Sequence, residues 1–258
     1  MMAVKDKVVI VTGAARGHGR SIAVTFASAG ARLALVDHAS MDQVLSECQA
    51  HEADVIGVGT DLREPEQVRS MVERVHEHYG RIDVLINDAG IVTHFRYGEP
   101  RWPRIGDMDP SFFENVIRTN LFGTFLTTKY VLPHMEAQRS GHIINFGQGS
   151  IGRGLREDPP GAAVYGTSKL AIRAFTQAVA AEERDYGICI MSFGPGGPGG
   201  ERPDRDTMTP AEVRAVAGQV DVELGKRVMM LSEAPMEFTG RMVTVREGKL
   251  ALTSDEVA

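Results

Sequence analysis

Two side chains that could carry proton chemistry stand four residues apart in the segment Y-G-T-S-K at positions 165–169. If this segment is helical, Tyr165 and Lys169 share one face, because residues four apart are neighbours on a helix surface. A free tyrosine hydroxyl has a pKa of about 10, which is too high for a general base near neutrality. A nearby ammonium group favours the phenolate, so the pair is a candidate general acid and base. The pattern is common by chance and depends on its context for support.

A glycine-rich turn, T-G-A-A-R-G-H-G at 12–19, follows an apolar run and precedes a predicted helix. Glycine allows the tight turn and removes side chains where backbone must approach a pyrophosphate. The free N–H groups and the positive end of the helix dipole then face that anion. His18 would contribute its backbone N–H rather than its ring. The predicted cofactor-binding residues of the turn are Gly13, Arg16, Gly17, His18 and Gly19.

Asp37 ends the second predicted strand, 18 residues after Gly19. An acid about 20 residues beyond a dinucleotide turn is placed to bind the ribose hydroxyls of NAD. Its charge would repel a 2′-phosphate, so the sequence favours NAD over NADP. Arg16 could still contact a 2′-phosphate, which keeps NADP open as the less favoured cofactor. The alternative for Asp37 is that it only caps the following turn.

Two further segments follow predicted strands and are expected along the same cofactor cleft. They read D-L after the third strand and N-D-A-G after the fourth. Strands of a parallel sheet end at one edge, where such sheets bind ligands. The alternatives are an Asx turn and a strand-to-helix turn. The predicted cofactor-binding residues are Asp61, Leu62, Asn87, Ala89 and Gly90.

Apolar strands and amphipathic helices alternate along the chain, which predicts an α/β fold with a parallel sheet covered on both faces. Strands are predicted over Val8–Thr12, Arg32–Asp37, Val55–Val58, Ile82–Ile86, His142–Phe146, Ile188–Phe193 and Met242–Val245. Helices are predicted over Ser21–Ser28, Met41–His51, Glu66–Tyr79, Pro110–Met135 with a bend near Gly123, Val164–Arg184 and Val222–Leu231.

The composition places the chain among ordinary folded proteins. It has 258 residues, a net charge of −6, 43% hydrophobic residues and 24% charged residues. These values exclude disordered, collagen-like and disulfide-scaffold classes, and they give no reason to expect a nucleic acid or an anionic membrane as partner. We expect neither a secretory signal nor a membrane span, because no apolar run is long enough. Two cysteines, Cys48 and Cys189, suit a reducing cytoplasm.

No metal site is predicted. Two cysteines are too few for a thiolate zinc centre. His76 and His78 stand two positions apart on a predicted helix, so their rings point to nearly opposite sides.

Taken together, the glycine-rich turn, Asp37, N-D-A-G, Asn120 in T-N-L-F-G and Y-G-T-S-K occur in a fixed order. This set resembles the short-chain dehydrogenase/reductase family, over roughly residues 6–246. The resemblance implies a single doubly wound Rossmann domain spanning 1–258, with about seven parallel strands. It also implies substrate loops near 94–110, 150–162 and 194–208.

The resemblance implies a role for each catalytic residue. Tyr165 would exchange a proton with the substrate oxygen, and Lys169 would lower the tyrosine pKa and bind the nicotinamide ribose. Asn120 would hold a water molecule in a proton relay. Pro195 and Gly196 would form the turn beside the nicotinamide, and the stretch after them would be a substrate lid.

The sequence departs from the family pattern at two positions. Gln148 stands where the family usually has the serine that hydrogen-bonds the substrate oxygen. A glutamine amide can donate to a developing oxyanion but cannot pass a proton as a hydroxyl can. Ser150 is the alternative if the loop bulges, and impaired chemistry is the third possibility. Asp88 stands where a second asparagine is common.

These features predict an NAD-dependent oxidoreductase that acts on a secondary alcohol or ketone. The alternatives are a non-redox enzyme on the same scaffold, performing elimination or epimerisation, and a cofactor-binding sensor without turnover. The family also implies a homodimer or homotetramer, with the helices at 110–135 and 164–184 as interfaces. The sequence does not identify the substrate.

Overall fold

A single sheet of eight strands organises the computed structural model, which describes residues 4–91, 103–147, 163–195 and 218–253. The strands are β1 (Val8–Thr12), β2 (Arg32–Asp37), β3 (Val55–Gly59), β4 (Val84–Asn87), β5 (Gly141–Phe146), β6 (Ile188–Phe193), β7 (Met242–Arg246) and β8 (Lys249–Leu252).

The strand order in the sheet is β3-β2-β1-β4-β5-β6-β7-β8. Neighbours from β3 to β7 are parallel, and β8 alone among these strands runs antiparallel, against β7. The chain leaves β1 toward β2 on one side and later returns to β4 on the other. Thr12 therefore pairs with Val36 on one side and Asn87 on the other. A crevice forms at such a switch point, outside the carboxyl ends of the strands.

Helices connect the strands and cover both faces of the sheet. They are α1 (Gly17–Ser28), α2 (Asp42–Gln49), α3 (Pro65–Tyr79), α4 (Pro110–Ile117), α5 (Gly123–Gln138), α6 (Ala163–Glu182) and α7 (Val222–Leu231). A π-helical segment, Arg118–Phe122, joins α4 to α5.

The core lies in two layers, one on each face of the sheet, because successive strand residues point to opposite faces. Val9 and Val11 of β1 belong to one apolar cluster, and Val8 and Ile10 belong to the other. All five β1 residues are buried, which explains their unbroken apolar run. The predicted doubly wound α/β fold with seven parallel strands is confirmed.

The structure corrects two predicted helices and the strand β4, which begins at Val84 rather than Ile82, and it adds one strand. The predicted helix over Pro110–Met135 is interrupted by the π-helical segment, and α1 begins at Gly17 rather than Ser21. The strand β8 was not predicted. It follows a two-residue turn in which Glu247 and Gly248 both have positive φ, at 49° and 71°. That backbone matches the right-handed twist of a hairpin.

Candidate active site

The glycine-rich turn leaves β1 and runs directly against the segment after β4. Gly13 has φ +71°, and a Cβ placed on it would lie 2.8 Å from the Cα of Ala89. A Cβ on Gly19 would overlap the carbonyl oxygen of Gly13. Gly17 has φ +59° and faces open space. Side chains are therefore excluded at two positions by close packing and disfavoured at the third by backbone conformation.

Helix α1 presents its N-terminus at this turn. Arg16 occupies the N-cap position, but its exposed side chain makes no capping hydrogen bond, and the first turn contains no acidic residue. Such an end combines N–H groups with the positive pole of the helix dipole, so it suits a bound anion. The residues present fit the pyrophosphate of a dinucleotide.

Asp37 ends β2 beside the same turn. Its two carboxylate oxygens accept hydrogen bonds from the backbone N–H groups of Ala15 and Ala39, both at 3.0 Å. The side chain is only 10% exposed, and its Oδ1 lies 3.4 Å from the ring of His38. The turn-capping alternative is therefore part of its role. These contacts fix the carboxylate next to the cleft, and binding to a ribose stays a prediction.

Asp61 follows β3 and is held by Arg63. The guanidinium contacts both carboxylate oxygens, with Nη2 2.6 Å from Oδ2, and these hydrogen bonds lower the pKa of Asp61 to about 2. Arg63 also donates to Asn115 on α4 at 2.7 Å. Leu62 is almost buried and packs against Gly123 at the start of α5. Both predicted residues lie at the expected sheet edge, and Asp61 already has a cationic partner.

The N-D-A-G segment is fixed mainly through its first and third residues. The amide of Asn87 is buried, donates to Asn145 on β5 at 2.8 Å, and accepts from Thr127 on α5 at 2.7 Å. The N–H of Ala89 donates to the hydroxyl of Thr12 at 3.2 Å. Asn87 thus joins β4 to β5 and α5, so its side chain supports the cleft from beneath.

Asn120 lies in the π-helical segment and is fully buried. Its Oδ1 accepts from the N–H of Ile91 at 2.7 Å, and its Nδ2 donates to the carbonyl of Ile91 at 3.1 Å and to Ser168 at 3.0 Å. Gly90 leaves room for it, since a Cβ there would lie 3.1 Å from Oδ1. Because both amide donors are used, Asn120 acts as a brace. The predicted water relay stays a prediction.

Tyr165 and Lys169 lie on α6, one turn apart as predicted. Lys169 is buried, its Nζ donates to the carbonyl of Phe146 at 2.6 Å, and Nζ lies 5.8 Å from the centroid of the Tyr165 ring. The ammonium is therefore held between the end of β5 and the tyrosine. Ser168 extends the brace, because its hydroxyl donates to the Tyr165 carbonyl at 2.7 Å.

Sequence reasoning did not single out Ser168 or Phe146. Ser168 could have been found from its place inside Y-G-T-S-K, facing the same helix turn as Tyr165. The Phe146 contact uses a backbone carbonyl, which no residue type reveals.

The remaining predicted residues divide into two groups. His18 lies with its ring near Asp88, and the carbonyl of Pro195 accepts from Arg227 on α7 at 3.1 Å. Gln148, Ser150 and Gly196 lie outside the described residues, as do most of the three predicted substrate loops.

The model of the short chain dehydrogenase family matches residues 7–201, well over half of the chain. The chain belongs to the short-chain dehydrogenase family. Its curated relatives include an uncharacterized oxidoreductase of Staphylococcus saprophyticus, 34% identical over 76% of this chain and 80% of that protein. An L-fucose dehydrogenase of Bos taurus is 32% identical over 74% of this chain and 65% of that protein.

Solved structures agree with the fold. An NAD+-bound xylitol dehydrogenase has a TM-score of 0.68 at 27% identity, covering 88% of this chain and 85% of that chain. A metagenomic short-chain oxidoreductase in complex with NADP has a TM-score of 0.71 at 25% identity, covering 94% and 97%. Short-chain dehydrogenases bind nicotinamide cofactors, and these two neighbours hold different ones.

Neither a metal cluster nor a membrane span is found in the described ranges. No three His, Cys, Asp or Glu side chains there are grouped closely enough to hold a metal ion. No helix in that part of the chain is both long and apolar enough to cross a membrane.

Proposed function

We propose that this short-chain dehydrogenase is an NAD-dependent oxidoreductase that interconverts a secondary alcohol and a ketone. The observation that carries the proposal is the position of Lys169, whose buried ammonium donates to the Phe146 carbonyl and lies 5.8 Å from the Tyr165 ring centroid. A cation held there by a second contact favours the phenolate form of the tyrosine.

Tyr165 is the proposed acid and base of the reaction. In the reducing direction its hydroxyl gives a proton to the substrate oxygen, and in the oxidising direction the phenolate takes that proton back. A positioned general acid of this kind typically contributes about 10²–10⁴-fold to a rate. The bound nicotinamide supplies the hydride donor or acceptor. Ser168 and Asn120 keep the start of α6 in register with the segment after β4.

NAD is the proposed cofactor because of charge. Asp37 is fixed by two backbone N–H groups at the end of β2, where a carboxylate opposes a 2′-phosphate. The proposed pyrophosphate site is the N-terminus of α1, and the proposed ribose ligands are Asp37 and Lys169. The proposed donor to the substrate oxygen is Gln148 or Ser150, in the stretch beyond Gly147.

The proposal is tested by measuring consumption of NADH and NADPH with a panel of ketones, and formation of NADH with the matching alcohols. We expect turnover with NADH and a fall of at least about 10²-fold in kcat for Tyr165→Phe, with NADH still bound. Tyr186→Phe is the matched control, since that ring is exposed and lies beside Arg139, away from the cleft. Tight NADH binding without turnover on a broad panel, or full activity in Tyr165→Phe, would refute the proposal.

A second copy of the chain is the proposed partner, with α5 and α6 at the interface. Phe122, Phe125 and Phe175 form a row of partly buried rings across these elements, with centroid distances of 5.7 and 6.3 Å. Sedimentation velocity decides between a monomer and a dimer or tetramer.

We propose the cytoplasm as compartment, because both cysteines are free and buried.

A further inference from the structure

Two residues that sequence analysis treated separately meet in the cofactor cleft. His18 is the second residue of α1, and Asp88 directly follows β4. The His18 Nδ1 lies 3.7 Å from the Asp88 Oδ1, with side-chain exposures of 30% and 11%. The contact joins the helix that faces the pyrophosphate to the segment that packs on Gly13.

Asp88 differs from Asp37 in how its charge is balanced. Asp37 accepts two backbone hydrogen bonds, whereas within the described part of the chain the only charged group paired with Asp88 is the His18 imidazole. A carboxylate that is largely buried and lacks other donors keeps a strong field. That field would oppose the negative charge of a pyrophosphate at the α1 N-terminus.

His18 also lies near Phe146, the residue at the end of β5 that contacts Lys169. The His18 ring lies 6.1 Å from the ring of Phe146, tilted by 38°, and the Phe146 carbonyl accepts from Lys169. His18 is thus packed between the phosphate turn and the end of β5, and its ring position is constrained by both neighbours.

We propose that His18 is a cofactor-positioning residue whose imidazole, held against Asp88, offsets the charge of that carboxylate, so that the α1 N-terminus can accept a pyrophosphate. The inference rests on the proposed function, since it requires a dinucleotide in this cleft. It assigns a role to the imidazole itself and explains how a family member can carry an acid at position 88.

The test measures the dissociation constants of NADH and ADP-ribose by fluorescence titration and calorimetry. We expect His18→Gln to weaken both ligands by about 10-fold, the scale of one charge pair in a partly buried site. His18→Lys, which places a positive charge beside Asp88, should bind within about 3-fold of the wild type.

The decisive variant is His18→Gln combined with Asp88→Asn. If charge balance is the role of His18, removing the Asp88 charge restores the affinity that His18→Gln loses. If the role of His18 were instead to pack its ring on Phe146, Asp88→Asn would not restore that affinity. His51→Gln is the matched control, because that histidine is exposed in the turn between α2 and β3. Thermal unfolding of each variant separates misfolding from weak binding.

The outcomes distinguish the two proposals. Wild-type protein that binds neither NADH nor ADP-ribose overturns the proposed function and this inference together. Wild-type binding with an unaffected His18→Gln variant, or no rescue by Asp88→Asn, overturns the inference and leaves the proposed function intact. A loss confined to NADH would overturn the assignment to the pyrophosphate.

Discussion

At the scale of single residues, we propose that one charge, that of Asp37, decides between NAD and NADP. The carboxylate of Asp37 is held by the N–H groups of Ala15 and Ala39, so it cannot turn away from an approaching group without losing a hydrogen bond. A fixed carboxylate discriminates between the two cofactors better than a mobile one, because it cannot move away to reduce its repulsion of a 2′-phosphate.

Asp37→Asn should therefore reduce the preference for NADH over NADPH by at least about 10-fold, which is about 1.4 kcal/mol. The amide has nearly the shape of the carboxylate, but its NH2 group cannot accept, so the change removes the charge together with one of the two backbone hydrogen bonds. The measurement is the ratio of kcat/KM for the two cofactors. Asp42→Asn is the control, an exposed acid in the first turn of α2. An unchanged ratio in Asp37→Asn would show that selectivity lies elsewhere.

At the scale of elements, the π-helical segment sets the position of α6, the helix that carries Tyr165 and Lys169. Asn120 projects from it to hold both backbone groups of Ile91 and the hydroxyl of Ser168. A π segment adds one residue to a turn and often occurs at functional sites. Here it lets one buried amide connect the segment after β4 with α6.

Asn120→Asp keeps the shape of this side chain but replaces its donor with an acceptor. The Ile91 carbonyl and the Ser168 hydroxyl then lose a donor, and a charge enters a fully buried position. We expect a loss of about 2–4 kcal/mol in the free energy of unfolding near neutral pH, measured in urea. Asn115→Asp, on the neighbouring helix α4, should cost little, because Asn115 only accepts from Arg63. Equal losses in the two variants would contradict the bracing role.

A second connection between elements is titratable. The pKa of Asp61 is lowered to about 2 because Arg63 donates to it, and a lowered pKa in the folded state stabilises the fold at any pH above the unfolded value. Asp61→Asn should therefore reduce stability near neutrality by up to about 1 kcal/mol, since the pair is partly exposed. The difference from the wild type should shrink as the pH falls from about 4 to about 2. Thermal unfolding across this range measures it, and a constant difference would contradict the assignment.

Most elements could be predicted from sequence, because a strand that is buried on both faces of the sheet appears as a short, almost wholly apolar run of residues. The strands β1, β2 and β6 have the predicted bounds, as does α7. The bend near Gly123 was expected. The π-helical segment was not, because no residue type marks the place where the backbone hydrogen bonds change from the α-helical to the π-helical pattern. The hairpin to β8 was missed because Glu-Gly is a weaker turn signal than Asn-Gly.

The positions of several candidate site residues could be predicted from residue type and spacing. Gly13 and Asp37 lie at the carboxyl ends of β1 and β2, and Lys169 contacts the end of β5; their roles stay predictions. Pairings across the cleft were not predictable, because they depend on which strands are neighbours. The contact of His18 with Asp88 is the example, since 70 residues separate them in sequence.

At the scale of the whole molecule, the segment around α7, late in the chain, holds α1, the proposed pyrophosphate-binding helix, in place. Helix α7 packs on α1, where the backbone N–H of Asp221 donates to Ser21 at 2.9 Å and Arg20 donates to the carbonyl of Gly218 at 2.8 Å. The two helices are in close contact at Gly225, where a Cβ would overlap the side chain of Thr25 on α1. The position of α1 over the cleft therefore depends on a segment beyond the glycine-rich turn.

Gly225→Ala tests this dependence, because helix propensity and packing predict opposite signs for the change in the free energy of unfolding. Helix propensity alone predicts that alanine in the interior of α7 stabilises the protein by about 1 kcal/mol. A Cβ at this position would overlap the side chain of Thr25, including its Cγ2 at 2.8 Å, so α7 must move away from α1. We expect a net loss of about 1–3 kcal/mol in the free energy of unfolding, as for other overpacked cores.

The matched substitution is Gly166→Ala, because a Cβ at that helical glycine meets no atom of the described residues within 4 Å. It should leave stability unchanged or raise it, as propensity predicts. Denaturant unfolding of both variants gives the comparison, and NADH affinity of Gly225→Ala then reports whether displacement of α7 reaches the N-terminus of α1. A Gly225→Ala protein as stable as the wild type would contradict the close contact of α7 with α1.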